Sequence, residues 1–188
     1  DPVRAKAMGR DTGLGPEIDA LFPDGFQVSA LGEIPAGWDV RPVGEFVTSV
    51  TGRSYSSAEL VDSEIALVTL KSFLRGGGYR FDGLKPYIGL YSQEQVIRAG
   101  ELIVACTDVT QRAEVIGHPA IVRGDERFRT LVASLDVMII RPHAGMAAVP
   151  YFYSLFRTPA FLDHTYAHST GTTVLHLHRD AVPTFPFA

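Results

Sequence analysis

The chain has 188 residues, 46% of them hydrophobic, so it can bury a core of single-domain size. Its net charge of −4 excludes a protein that binds nucleic acid through bulk positive charge, and no apolar run is long enough to span a bilayer. A single cysteine, Cys106, excludes an internal disulfide and favours a reducing cytoplasm. Because the sequence starts without Met and ends without a polar tail, we expect a fragment of a longer protein.

The first forty residues favour short elements rather than a core. A helix is predicted over residues 3–8, and a second over 16–23, because proline suits the first turn of a helix and disrupts later turns. A strand is expected to follow, with Trp38 and Val40 on one of its faces. We interpret residues 1–30 as a linker, with the folded domain starting near residue 31.

Strand patterns dominate the rest of the chain. The predicted strands are short, rich in Val, Ile, Leu and Thr, and bounded by Gly, Pro or Asp. They cover residues 64–70, 85–91, 101–108, 113–122, 131–142 and 172–178. The sequence therefore predicts an α+β fold that is rich in β-strands, with a mixed or antiparallel sheet and a few flanking helices. A doubly wound nucleotide-binding fold is not indicated.

Two helices are expected between the strands. One is short, over residues 92–100, and the other is amphipathic, over residues 148–167. In the longer helix, the side chains on one side are Tyr151, Leu155 and Phe156. Pro159 is predicted to bend that helix or to restart it.

Cations and aromatic side chains alternate around three successive glycines at 76–78. No Lys-Ser/Thr pair follows these glycines, so they do not form an ATP phosphate loop, and the chain has no Gly-x-Ser-x-Gly. Cations neutralise phosphates and arginines read guanine edges, although a solvated charged loop is an alternative interpretation. The candidate DNA-binding residues of this run are Lys71, Arg75, Tyr79, Arg80 and Lys85.

Two further polar segments suit contacts with nucleic acid. One is at a predicted strand end and contains Thr107, Thr110, Gln111 and Arg112. Its Gln and Arg are side chains that pair bidentately with adenine and guanine. The other surrounds Gly171 and supplies the hydroxyl groups of Ser169, Thr170, Thr172 and Thr173. These hydroxyls can reach phosphates or base edges, or can simply cap their own turn.

Four of the six histidines lie within residues 164–178. His176 and His178 would point the same way from a strand, as in metal-dependent nucleases that use a His-x-His strand with a nucleophilic tyrosine, here Tyr166. A third metal ligand is not evident from the sequence. We favour a scaffold role, with His164 and His168 exposed just after the helix, and keep the nuclease as the alternative.

Several segments together resemble the specificity subunit of type I DNA restriction–modification systems over nearly the full length of the chain. The matching segments are residues 1–14, 31–40, 84–91, 99–111, 133–142 and 171–187. The last begins with GTTVLHL, similar to the Gly-Thr/Ser-Thr-x-x-x-Leu segment that ends a target recognition domain in that family. The resemblance implies that residues 31–188 are the second, C-terminal recognition domain and that residues 1–30 join it to the first. The long spacer helix would follow Ala188.

The resemblance also implies a function. Such a domain has a β-rich recognition fold, has no catalytic activity, and reads one half of a bipartite target in double-stranded DNA. Its partners are the methyltransferase and restriction subunits, which carry S-adenosylmethionine, ATP and Mg²⁺. We therefore expect no cofactor and no metal in this chain, a cytoplasmic location, and no membrane partner.

Overall fold

The computed structural model describes residues 1–110, 112–145 and 148–188. Its helices are α1 (Pro2–Ala7), α2 (Pro16–Asp19), α3 (Val149–Leu155) and α4 (Pro159–Ala167). Its strands are β1 (Phe26–Ser29), β2 (Gly32–Pro35), β3 (Arg41–Pro42), β4 (Val47–Thr51), β5 (Ile65–Val68), β6 (Lys85–Pro86), β7 (Val96–Ile97), β8 (Leu102–Ala105), β9 (Thr107–Asp108), β10 (Pro119–Ile121), β11 (Thr130–Ala133), β12 (Val137–Pro142), β13 (Ser169–Thr170), β14 (Leu175–Leu177) and β15 (Pro186–Phe187). No helix in these ranges is both long and apolar enough to cross a membrane.

The chain divides into two compact units. The first comprises Asp1–Val43 with Pro186–Ala188, and the second comprises Gly44–Phe185. This division follows contacts between residues, whereas the boundary expected at residue 31 concerns a linker in a longer protein. That boundary stays a prediction.

The first unit contains both predicted N-terminal helices and two small antiparallel sheets, β1–β2 and β3–β15. The Lys6 ammonium joins the helices, because it lies 3.2 Å from the Asp19 carboxylate and donates to the Phe22 carbonyl. The strand predicted around Trp38 and Val40 is wrong. Trp38 N–H donates to Pro35 in a turn, and this turn ends β2.

The second unit is built from two four-stranded sheets and one three-stranded sheet. The first sheet has the order β10-β8-β12-β4 and is antiparallel throughout. The second has the order β6-β5-β11-β7 and is mixed, since β5 and β11 run parallel. The third is β13-β14-β9 and is antiparallel. The predicted α+β class with antiparallel and mixed sheets is confirmed.

One hydrophobic core joins the two four-stranded sheets. Alternate residues of four strands enter it, as the two-residue period of a strand requires. They are Ala66 and Val68 of β5, Ile103 and Ala105 of β8, Leu131 and Ala133 of β11, and Val137 and Ile139 of β12. The intervening residues of β8 and β12 are buried as well, so these strands read as continuous apolar runs.

Helices α3 and α4 and the turn between them bury aromatic side chains, and these match the predicted apolar side at Phe156 only. Phe152, Phe156 and Phe161 are fully buried, and the rings of Phe156 and Phe161 stack with centroids 4.1 Å apart. Tyr151 is exposed, so the predicted apolar side is wrong there. The restart at Pro159 is confirmed, with Thr158 capping α4.

The other corrections concern the type or the length of a predicted element. The helix expected over 92–100 is a 3-10 turn followed by β7, because Val96 and Ile97 pair with β11. The strands expected over 85–91 and 113–122 shorten to β6 and β10. Strand β4, which pairs with β12, was not predicted, although its sequence VTSVT before Gly52 has the composition of a strand.

Replacing Ile139 with Ala tests the core between the sheets. We expect a loss of about 2–5 kcal/mol in the free energy of unfolding, because a fully buried side chain leaves a cavity. Ile88→Ala is the matched control, since Ile88 is 57% exposed, and its effect should stay within about 0.5 kcal/mol. Urea unfolding measures both variants, and equal effects would contradict the proposed core.

Candidate nucleic-acid interface

The three-stranded sheet brings two of the predicted polar segments to one end. Strand β14 pairs antiparallel with β9, with Leu175 opposite Asp108 and His176 opposite Thr107. The chain leaves β9 after Asp108, at the end where it enters β14 from the turn 171–174. The loop 109–116, of which residues 109–110 and 112–116 are described, and the turn around Gly171 therefore lie at the same end of the sheet.

The Asp108 carboxylate shapes the loop 109–116. Asp108 is fully buried, and its oxygens accept the N–H groups of Thr110 (2.6 Å), Val115 (2.6 Å) and Ile116 (2.9 Å). Burial alone raises the pKa of this carboxyl, but the hydrogen bonds from Thr110, Val115 and Ile116 outweigh burial and lower the pKa below its ordinary value. The loop thus provides the hydrogen-bond donors for the buried Asp108 carboxylate, and these same bonds fix the conformation of the loop.

The glycine-rich loop 74–78 is attached to the loop 109–116. Gly76 N–H donates to the Glu114 carbonyl (2.9 Å), and Gly78 N–H donates to the Pro119 carbonyl (3.0 Å). The three glycines have φ between 76° and 103°, a region that other residues rarely adopt. The Arg75 Nη1 lies 3.3 Å from the Glu114 Oε2.

These attachments create a concavity of about 420 Å³. Its lining residues come from both loops and are Arg75, Val109, Thr110, Arg112 and Glu114. The structure thus unites Arg75 of the predicted basic run with Thr110 and Arg112 of the predicted strand end. Gln111, also predicted here, lies outside the described residues.

The other cations of the basic run do not line this concavity. Arg80 forms an ion pair with Asp82, with its Nε 2.9 Å from Oδ1. Lys85 is half-buried, donates to the Tyr55 hydroxyl (3.1 Å), and lies over its ring. Lys71 is exposed. The basic run is therefore divided between sites rather than forming one patch.

Tyr79 packs against the core, and its predicted contact with DNA stays a prediction. Its ring is half-buried and meets Phe81 edge-on at 5.4 Å. Burial raises the pKa of Tyr79 to about 12. Its buried hydroxyl has no hydrogen-bond partner among the described residues. This placement gives Tyr79 a role in the scaffold.

Of the predicted hydroxyl groups, some are bonded within the protein and others are exposed. Thr107 is buried and donates to Asp136 (2.9 Å), and Ser169 donates to the Thr165 carbonyl (2.7 Å). The exposed ones are Thr170, Thr172 and Thr173, around the Gly171 turn. Gly171 has φ of 117°, and a Cβ there would lie 2.0 Å from the Val174 carbonyl oxygen, so this turn requires glycine.

Of the four histidines within residues 164–178, three are exposed and one is half-buried. His176 in β14 and His178 just after it are exposed, with buried Leu177 between them, as expected for one polar face. His168 is exposed at the end of α4. The expectation for His164 is wrong: it lies inside α4, is half-buried, and its Nε2 donates to the Ala181 carbonyl (2.9 Å). Burial lowers the pKa of His164.

The parts of a metal-dependent nuclease are not assembled within residues 1–110, 112–145 and 148–188. No group of three or more His, Cys, Asp or Glu side chains there could hold a metal ion. His176 borders a small cavity with Cys106 and Arg179, whereas Tyr166 borders another with Arg112 and His118. The described residues give no support to the nuclease alternative.

Two residues that organise this surface were missed by the sequence analysis. Asp108 carried a usable signal, because an Asp that directly follows a buried strand is typical of a turn in which its side chain accepts backbone N–H groups. Glu114 carried none, since its ion pair with Arg75 and its backbone bond with Gly76 involve a loop that is distant in sequence.

Replacing Asp108 with Asn tests the organisation of the loop. We expect a loss of about 1–3 kcal/mol in the free energy of unfolding near neutral pH, because Asn cannot accept from all three N–H groups. The lowered pKa means that the contribution of the carboxylate is complete above the ordinary carboxyl pKa and is lost as the pH falls through the pKa of the folded state. Urea unfolding over a series of pH values should therefore show the difference narrowing in acid. The control Asp62→Asn, at an exposed position, should change little, and a difference that is constant into acid would refute this role.

A metal titration tests the histidine strand. We expect no one-to-one complex with Zn²⁺ or Mn²⁺ by calorimetry, and no cleavage of plasmid DNA in either metal. Two exposed imidazoles provide fewer ligands than a closed or catalytic site needs. Tight binding or nicking that disappears in His176→Ala would restore the nuclease alternative.

Comparison with known proteins shows similarity in fold. No family model matches the sequence, and no curated protein matches it. The S subunit of the type I restriction–modification system of M. genitalium is 9% identical, with a TM-score of 0.50 over 80% of this chain and 34% of that one. A chain from a structure on complex assembly and conformational transition of the type I R-M system is 14% identical, with a TM-score of 0.54 over 100% of this chain and 39% of that one.

These similarities support two statements. The chain has a fold that is also found in a type I specificity subunit, and the fold class expected from the resemblance is confirmed. The chain spans between 34% and 39% of the length of these proteins.

Proposed function

We propose that this chain is a DNA target recognition domain of a type I restriction–modification specificity subunit, which reads one half of a bipartite sequence without catalysing a reaction. One observation carries the proposal: Arg75 lines one concavity together with Thr110 and Arg112, which are distant from it in sequence. The exposed hydroxyl turn around Gly171 lies at the same sheet end as the loop that carries Arg112. The fold shared with a specificity subunit supports the same function by analogy.

The side chains at this concavity suit the reading of base edges. The Arg75 and Arg112 side chains are exposed, and a guanidinium pairs bidentately with the O6 and N7 atoms of guanine in the major groove. Threonine hydroxyls at positions 110, 170, 172 and 173 can donate to phosphates or to bases. The net charge of −4 works against binding through overall attraction, so a few positioned contacts would have to carry it.

Catalysis and cofactors are assigned to the partners. The sequence has neither a phosphate loop nor a Gly-x-Ser-x-Gly segment. A reading domain of this kind works beside a methyltransferase subunit and a restriction subunit, which bind S-adenosylmethionine, ATP and Mg²⁺. Its target is double-stranded DNA, and its place is the cytoplasm.

Selection from a randomised duplex library tests the function. We expect the full-length protein, assembled with its methyltransferase subunit, to enrich one bipartite sequence. We expect Arg112→Ala to change either the sequence preference or the strength of binding. If Arg112 reads a base, preference at one position falls by about 1–3 kcal/mol. If it contacts a phosphate, all sequences weaken and the salt slope of binding falls by about one.

The control for this experiment is Arg123→Ala. Arg123 is an exposed arginine outside the concavity, so its loss should leave the selected sequence and the salt slope unchanged. Equal effects of the two substitutions would mean that only general charge matters. Enrichment of no sequence by the wild-type assembly would refute the proposed function.

A further inference from the structure

Glu114 is an acidic residue on the surface that is proposed to bind a polyanion. Its backbone is held from both sides: its N–H donates to the Thr110 hydroxyl (2.9 Å), and its carbonyl accepts from Gly76 (2.9 Å). The next residue, Val115, donates to the buried Asp108. Glu114 therefore cannot leave the concavity without breaking the hydrogen bonds that shape it.

The ion pair of Glu114 with Arg75 differs from two other ion pairs of the chain. In Arg80–Asp82 and Arg127–Asp125, the carboxylate engages both Nε and Nη2 of the guanidinium. In Arg75–Glu114, the pair joins Nη1 to Oε2 at 3.3 Å, and the Arg75 side chain is 74% exposed. One terminal nitrogen of this guanidinium lies beside the carboxylate, and most of the side chain faces the solvent.

Stability does not account for this pair. An ion pair between largely exposed side chains contributes little to folding, whereas both members of this pair line the concavity and can act on what binds there. A guanidinium that is already held on one side loses less side-chain freedom when it docks. The Glu114 carboxylate also repels phosphate oxygens and so disfavours binding in the wrong register.

We propose that Glu114 is a specificity-determining positioning residue of the DNA site. Its carboxylate holds the Arg75 guanidinium for bidentate contact with a guanine edge and opposes the use of Arg75 as a general phosphate contact. The inference rests on the proposed DNA-binding function. It adds Glu114 to the site as a residue that acts through Arg75, and it assigns the reading of a base to Arg75.

Glu114→Gln in the full-length assembly tests the role, since Gln keeps the shape and removes the charge. The probes are the duplex enriched by the wild-type protein and a duplex of random sequence. We expect affinity for the enriched duplex to fall about tenfold, while affinity for the random duplex stays the same or rises. The preference for guanine at one position should relax.

A double-mutant cycle with Arg75→Ala shows whether Glu114 acts through Arg75. In the Arg75→Ala background, Glu114→Gln should cause no further loss of selectivity. An equal loss in both backgrounds would overturn the proposal, because Glu114 would then contact a base directly. An equal gain in affinity for both duplexes would overturn it too, because the acid would then merely repel DNA.

Two further variants make the result specific. Asp82→Asn removes the acidic partner of Arg80 and should leave selectivity unchanged. Glu114→Asp keeps the charge but shortens the side chain, so it should also lose selectivity, and it provides the test if Glu114→Gln does not fold. Absence of any enriched sequence for the wild-type protein is a different result, which removes the proposed function and this role with it.

Discussion

The site depends on one buried charge. Asp108 ends a buried strand, and an ionised carboxylate away from water is tolerated only when hydrogen-bond donors surround it. The donors are the backbone N–H groups of Thr110, Val115 and Ile116, so satisfying the charge also folds the loop 109–116. The position of Arg112 and the contacts of Glu114 with the glycine-rich loop both follow from this arrangement.

Backbone hydrogen bonds, rather than ion pairs, determine the shape of the concavity. Gly76 and Gly78 adopt a conformation that other residues rarely adopt, and their N–H groups bond to the Glu114 and Pro119 carbonyls. Because β9 continues from β8 of the large antiparallel sheet, the loop is anchored to the core. Rigid support of this kind suits the base reading that is proposed for this surface.

The positions of individual arginines matter more for this surface than the net charge of the chain. The chain carries a net charge of −4, and Arg80 and Arg127 are held by neighbouring carboxylates. The exposed guanidiniums of Arg75 and Arg112 meet at the concavity, where a few well-placed contacts can matter more than overall attraction. A fold shared with a specificity subunit at 9% identity is possible because alternating apolar positions maintain the sheets while loop residues are free to differ.

The sequence by itself determined the features that depend on local pattern. Strand composition and alternation predicted most of the sheets, prolines marked the helix starts, and residue type singled out Arg75, Thr110 and Arg112 as candidate contacts. Only the tertiary structure decided which candidates stay accessible, because their partners are distant in the chain. Lys85 lies over Tyr55, and Thr107 bonds to Asp136. Strand β7 likewise forms where a helix was expected, because backbone pairing with β11 outweighs local preference.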